Sequence, residues 1–319
     1  METCILAVGG SDSCGGAGIQ ADVKTAAALG AHAATALTCV TAQNCCSFGP
    51  VQLVRPDVLE AQMRAVFAEL PVGAVKIGML GSPEAVLSVA RVLGERRAVQ
   101  PQLPIVVDPV LAATTDSCGP KEVVGRAICR HLLPLASLVT PNLPEARTLA
   151  GYCQQMLSGA STAENASVHE PLHASEEVLA AWCARTLMAA GAGAVLVKGG
   201  HSASADSVRD LLFGPAAALE LALSSSLLPG DGELVPAVRV HVGPGQRDAI
   251  MGRPIGYSAP RRAGEFHGTG CVLSSAIACG LAAGLELPRA VGEAHALLQG
   301  CMERAWQPGS GSKLLNPVP

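Results

Sequence analysis

Short apolar runs alternate along the chain with stretches whose hydrophobic residues recur at helical spacing. The runs "CILAVGG" (4–10), "ATALTCVTA" (34–42), "AVKIGML" (74–80), "PIVVDPV" (104–110), "SLVTPN" (137–142) and "AVLVKGG" (194–200) read as strands. Between them, "GIQADVKTAAALG" (18–30), "PDVLEAQMRAVFAEL" (56–70), "SPEAVLSVARVLGERR" (82–97) and the stretches near 120–132 and 175–190 read as helices. Pro56 suits a first helical turn, and Ser82 ahead of Pro83 is an N-cap. Strands apolar on both faces, each followed by a helix, predict a mostly parallel central sheet with helices on both faces. Two stretches break the rhythm. Residues 154–174 are polar, and 214–264 are dense in Gly and Pro; both read as loop insertions, with at most a short strand near "VRVHV" (238–242).

Composition narrows the class. The 319 residues are 49% hydrophobic but only 3% aromatic, so small aliphatic side chains must fill the core and helices must pack close to the sheet. A net charge of −4 without a basic run argues against a nucleic-acid surface. Residues 25–54 carry no Asp, Glu, Lys or Arg, yet Gly30, His32, Gln43 and Asn44 interrupt the run, so a helix end and a buried strand are expected rather than a membrane span. The start of the chain reads as no signal peptide. Of the 12 cysteines no two have C-x-x-C spacing, and most sit in apolar runs, as small buried hydrophobes of a reducing cytoplasm do.

In parallel sheets ligands bind beyond the carboxyl ends of the strands, and polar residues gather at those loops. "GGSDSCGGAGIQAD" (9–22) contains Gly16-x-Gly18-x-x-Ala21, a loose dinucleotide fingerprint. That reading needs an acid about 20 residues on, and after Asp22 the next acid is Asp57, so a glycine-rich loop shaping a small-molecule pocket remains. Asp108 ends the strand "VVDPV". Asn142 and Glu145, three apart at a strand-to-helix junction, read either as a capping box or as part of a hydrated Mg²⁺ shell. Lys198 is either a solvated loop lysine or a point charge for a phosphate. In "FHGTGC", Gly268, Thr269, Gly270 and Cys271 open a helix of small residues. Its unpartnered amides suit an anion, and Cys271 in that field is expected to have a lowered pKa and to serve as a base.

The segments "GGSDSCGGAGIQADVKT", "VTAQN", "KIGML", "VVDPV", "LVTPNLPEA", "VKGGH", "DLLF" and "HGTGC" occur in this order over about residues 3–305. In these the chain resembles the hydroxymethylpyrimidine/phosphomethylpyrimidine kinases of thiamine biosynthesis, members of the ribokinase-like superfamily. The resemblance implies one three-layer α/β kinase domain over 1–319, a cytoplasmic homodimer, and use of ATP and Mg²⁺. It implies that 4-amino-5-hydroxymethyl-2-methylpyrimidine and then its monophosphate are phosphorylated. Gln43 matches the residue that reads the pyrimidine edge, and Gly10, Asp22, Met79 and Val110 match other pocket positions. Asp108, Asn142 and Glu145 match the metal and phosphate region, the metal being held through water by Asp108 and Glu145. Lys198 matches the group on the nucleotide phosphates, Cys271 the catalytic cysteine, and the "GTGC" amides the anion hole. Asp116 and Glu265-Phe266 depart from the family's pattern near the nucleotide. The rival readings are a pyridoxal kinase on the same frame and a non-catalytic pyrimidine-binding sensor.

Overall fold

The computed structural model describes residues 3–111, 121–158, 175–200, 206–215, 232–234 and 253–318. Among them are twelve strands and eight α-helices. Ten strands form one sheet. In spatial order these are β3 (Phe48–Leu53), β2 (His32–Gln43), β1 (Cys4–Asp12), β4 (Ala74–Ile77), β5 (Ile105–Val107), β6 (Leu138–Val139), β7 (Val195–Val197), β8 (Ser207–Phe213), β10 (Ile255–Pro260) and β9 (Gly232–Leu234). The six from β2 to β7 pair in parallel; β3 at one edge and β8, β10 and β9 at the other are antiparallel. β11 (Phe266–His267) and β12 (Lys313–Leu314) form a small parallel pair apart from this sheet.

Period-2 alternation divides the core in two. Leu6, Val8, Val75, Ile77, Ile105, Val107, Val139 and Val195 face one layer, made by α2 (Pro56–Glu69), α3 (Pro83–Val99), α4 (Lys121–Ala127), α5 (Leu143–Ser158) and α6 (Glu176–Ala189). Ile5, Ala74, Val106, Leu138, Ala194 and Leu196 face the other, made by α1 (Gly18–Ala28), α7 (Thr269–Ala282) and α8 (Leu287–Glu303). The same alternation puts Lys76, Asp108, Thr140 and Lys198 on the side of α1 and α7. The caps follow the sequence: Ser82 Oγ accepts from the Ala85 amide at 3.2 Å, and Ser175 Oγ from Val178 at 3.4 Å.

Several expectations need correcting. β3 lies partly where the sequence reads as a loop, because every second residue of a half-exposed edge strand is free to be polar or Gly. β2 is not a buried strand; Val40 on it is 48% exposed. β9 and β10 both fall within 214–264, so that stretch supplies two strands of the main sheet. Glycine and proline density hid strands of three and six residues. The "VRVHV" segment, most of 154–174 and Asp116 lie outside the described residues. Among the described residues, no helix is long and apolar enough to cross a membrane.

Candidate active site

β1 ends in the glycine-rich loop, and the loop is organised by one carboxylate. Asp12 is 2% exposed. Its Oδ1 accepts from the Cys14 amide at 2.8 Å; its Oδ2 accepts from the amides of Gly16 (2.9 Å) and Ala17 (2.7 Å) and lies 2.9 Å from His267 Nε2. Burial alone would raise this carboxyl, but His267, the Ala17 and Cys14 amides and the Gln43 side chain bring it well below the usual carboxylate range. Asp12 thus stays ionised and ties the loop after β1 to the residue that precedes the "GTGC" turn.

That turn depends on Gly268, the N-cap of α7, whose φ of 86° is left-handed. A Cβ there would sit on the Gly16 carbonyl oxygen, so glycine is required twice over. No side chain caps α7, and no acid lies in its first turn. The first amides of the helix therefore have no intrahelical acceptor and face the strand ends. A Cβ on Gly270 would lie 2.9 Å from Asp108 Oδ2 and 3.2 Å from Lys198 Nζ, so its absence leaves a gap beside both charged groups.

Asp108 and Lys198 are partners. Lys198 Nζ is 2.8 Å from Asp108 Oδ1, which also takes a 3.3 Å bond from Thr140 Oγ1. Burial disfavours the charge on Lys198, but Asp108 and Glu145 outweigh it and the ammonium is held more firmly than usual. Lys198 is not a solvated loop lysine, since its side chain is 17% exposed. Asp210, in the "DLLF" strand, accepts from the Gly199 amide at 2.8 Å and fixes the turn after Lys198. Asn142 and Glu145 form the reciprocal capping box: the Glu145 amide donates to Asn142 Oδ1 (2.8 Å) and the Asn142 amide to Glu145 Oε2 (3.0 Å). Glu145 is 9% exposed; burial raises its carboxyl and Asp108 adds to the rise, against the pull of Lys198.

A cavity of about 210 Å³ lies between the glycine loop, β2 and α7. Gly10, Gln43, Met79, Val110 and Cys271 line it. A larger hollow of about 500 Å³ beside Thr3, Gly73 and Gln100 is at the amino ends of the strands and lacks a carboxylate. Asp22 is not on the pocket wall. It is fully buried behind Lys76, which does line the pocket, and its Oδ1 is 2.7 Å from both Lys76 Nζ and Ser275 Oγ. Burial opposes the charge on Lys76, but Asp22, with Cys271 and Asp108 further off, outweighs it and its pKa is raised.

Cys271 corrects another expectation. Its pKa is pushed up to about 11, not down: burial raises it, Asp22 and Asp108 add to the rise, and Lys76 opposes it only in part. The start of a helix favours an anion, but burial decides the direction, and Asp22 and Asp108 reinforce it.

Sequence reasoning assigned no role to Asp12, Lys76 or His267. The signals were present: a lysine inside the apolar run "AVKIGML", and a histidine directly before "GTGC".

The residues also permit a test of fit for a nucleotide and its cation. Among the described residues no three His, Cys, Asp or Glu cluster as a metal cage. Mg²⁺ asks for less, one or two carboxylates completed by water and phosphate oxygens. Asp108 and Glu145 beside Lys198, with open backbone at Gly270, fit that description.

A mostly parallel sheet between two helix layers, with paired charges and an uncapped helix start at its carboxyl edge, is the architecture of the ribokinase-like kinases. The phosphomethylpyrimidine kinase family profile matches residues 12–226 and 252–316. The chain belongs to that family. It is 36% identical over 308 residues to a hydroxymethylpyrimidine/phosphomethylpyrimidine kinase of Rhizobium meliloti (strain 1021), covering 96% of this chain and 92% of that one. A phosphomethylpyrimidine kinase structure from Clostridium difficile 630 is similar with a TM-score of 0.62 at 26% identity, over 94% of this chain and all of that one. A Staphylococcus aureus pyridoxal kinase in complex with AMP-PCP and pyridoxal shares the fold, with a TM-score of 0.72 at 24% identity over 99% and 94% of the two chains.

Proposed function

We propose that this kinase transfers the γ-phosphoryl group of ATP to 4-amino-5-hydroxymethyl-2-methylpyrimidine, and then to the monophosphate, in thiamine biosynthesis. We further propose a cytoplasmic homodimer with one kinase domain per chain. One observation carries the reading: Gly10, Gln43, Met79, Val110 and Cys271 line one small cavity whose wall continues into the α7 amides.

In this reading Gln43 meets the edge of the ring. Its side chain helps hold Asp12 ionised, which fixes the amide and leaves its carbonyl to accept from an exocyclic amine. Met79 and Val110 supply the apolar walls. The amides of Thr269, Gly270 and Cys271 receive the transferring phosphoryl group, and Lys198 offsets its charge. Asp108 and Glu145 would hold Mg²⁺ through water, with Asn142 fixing the Glu145 carboxylate; the ion supplies charge neutralisation on the phosphates. Phosphoryl transfer depends mainly on such positioning and charge. Cys271 accepts the hydroxyl proton only in its deprotonated fraction, which burial shrinks most, Lys76 enlarges, and Asp22 and Asp108 shrink further. Asp22 acts from behind the wall, through Lys76.

The test is turnover of hydroxymethylpyrimidine, of its monophosphate and of pyridoxal, measured side by side with ATP and Mg²⁺. The expected result is phosphorylation of both pyrimidines at kcat/KM well above pyridoxal. Preference for pyridoxal would move the assignment to the vitamin B6 substrate, and ATP consumption that no pyrimidine stimulates would overturn it.

A further inference from the structure

Two cysteines face each other at the rim of the pocket. Cys14 is in the glycine-rich loop after β1, Cys45 is in the turn between β2 and β3, and their sulfurs are 3.4 Å apart. Both thiols are partly exposed. One residue earlier in the loop the same two segments are already joined: Ser13 Oγ accepts from the Gln43 amide at 2.8 Å and donates to the Gln43 carbonyl at 2.7 Å. The Cys45 turn is also held from its far side, where the Ser312 amide donates to the Cys45 carbonyl at 2.9 Å. The two backbone segments that carry the sulfurs are thus held side by side. Bonded sulfurs lie about 2.05 Å apart, so a bond asks for a closure of only about 1.3 Å.

We propose that Cys14 and Cys45 are a reversible thiol–disulfide pair whose bond narrows the pocket entrance. Asp12 and Gln43, both on the pocket wall, stand two residues before Cys14 and Cys45 respectively, so the bond draws these two wall segments together. The oxidant is a low-molecular-weight disulfide. A thiolate of Cys45 attacks one of its sulfurs, forms a mixed disulfide and expels one small thiol. Cys14, after losing its proton, attacks the Cys45 sulfur and expels the second. Two protein thiols are oxidised and one small disulfide is reduced to two thiols. Burial, then the neighbouring Cys45 and Asp12, push the Cys14 thiol up to about 11, so it must lose its proton before it closes the bond. The closure step is helped by proximity.

The bond itself does not depend on the substrate assignment; its effect on ligand binding does. The full chain, reduced, is incubated with glutathione disulfide, quenched with acid and mapped by mass spectrometry. Binding of hydroxymethylpyrimidine is measured by calorimetry, and the rate of Cys271 alkylation by iodoacetamide gives a reading of pocket access that needs no ligand. The expected result is loss of two hydrogen atoms, a Cys14–Cys45 cross-linked peptide, at least tenfold weaker pyrimidine binding and several-fold slower Cys271 alkylation, all reversed by dithiothreitol. Reduced Cys14→Ser and Cys45→Ser should bind pyrimidine as the parent does and resist the treatment. A stable glutathione adduct in place of the internal bond, or pairing through the exposed Cys46, overturns the pair. A mapped Cys14–Cys45 bond with unchanged Cys271 alkylation overturns the closure. Equal loss of binding in Cys14→Ser would assign the effect to oxidation elsewhere. If the reduced protein binds no pyrimidine, the substrate reading fails, while the mapped bond and the alkylation rate still decide this one.

Discussion

Lys76→Met tests how the pocket floor is held. Lys76 and Asp22 are both fully buried, 2.7 Å apart, and the other Asp22 oxygen, Oδ2, has no hydrogen-bond partner. Removing the lysine leaves a buried carboxylate supported by Ser275 alone. Breaking a buried pair in this way costs about 3–5 kcal/mol, because one charge is stranded without its partner. The same carboxylate can escape by taking up a proton. In the variant its folded pKa lies above the unfolded value of about 3.9, so its relative stability is greatest below that value and is lost as pH rises through the folded pKa. The deficit should therefore be smaller at pH 5 than at pH 8. Replacing both residues, as Asp22→Asn with Lys76→Met, removes both charges, and the pair should recover about 2–3 kcal/mol relative to the sum of the single changes. Urea unfolding of the parent, both single variants and the double variant gives these values, provided the slopes agree. A single variant costing under ~1 kcal/mol, or strict additivity in the cycle, would refute the account of the floor as a buried ion pair.

Gln43→Leu should raise KM for the pyrimidine more than KM for ATP; equal effects in steady-state kinetics would remove it from ring recognition. Cys271→Ala should lower turnover by about 10²–10⁴ while pyrimidine binding stays within a few fold, and kcat, expected to rise in the parent as pH increases toward about 11, should stay flat in the variant; turnover near the parental rate would make Cys271 a packing residue. Gly268→Ala should cost about 1–3 kcal/mol in denaturant melts, through left-handed strain and the collision with Gly16, whereas Gly270→Ala should fold like the parent and lose phosphoryl transfer; the reverse order would contradict the geometry of the helix start. Cys271 and Cys279 keep their protons to about 11 and about 12 in the fold, and unfolded thiols release theirs near ~8.5. The folded state then binds more protons in that window, so stability should fall as pH rises from about 8.5 toward 12, and guanidinium midpoints that stay flat above pH 8.5 would argue against buried thiols.

The parallel half of the sheet was legible because its strands are apolar on both faces and end in polar residues. Asp108 and Lys198 could be placed at one edge from "VVDPV" and "VKGGH" alone, since a strand end fixes where its next residue lies. That Lys198 would spend its charge on Asp108 was not legible, because pairing across 90 residues depends on strand order. The edge strand β9 and its neighbour β10 were missed because antiparallel strands at the side of a sheet accept the same Gly and Pro that mark loops. The direction of the Cys271 shift was missed for a related reason. The helix start that lowers a thiol pKa is written in "HGTGC", whereas the burial that raises it, and Asp22 and Asp108 that add to the rise, come from α1 and the end of β5. Glu145 was read both as a cap and as a metal-shell acid, and the cap geometry is present in full.

The bond between Asp12 and His267 spans 255 residues, and the Cys45 turn rests on the Ser312 amide. The pocket is thus assembled from stretches far apart in the sequence. During synthesis Asp12 in the glycine loop emerges 255 residues before its partner His267. Until α7 and α8 arrive, only α1 covers one face of the central strands, and the anion cradle does not exist in any partial form. Contacts of such long sequence separation form late and fold slowly. Activity should therefore appear in a single late step, and a chain interrupted before residue 267 should lack the kinase site together with α7 and α8, leaving Val106 and Leu196 uncovered on that face of the sheet.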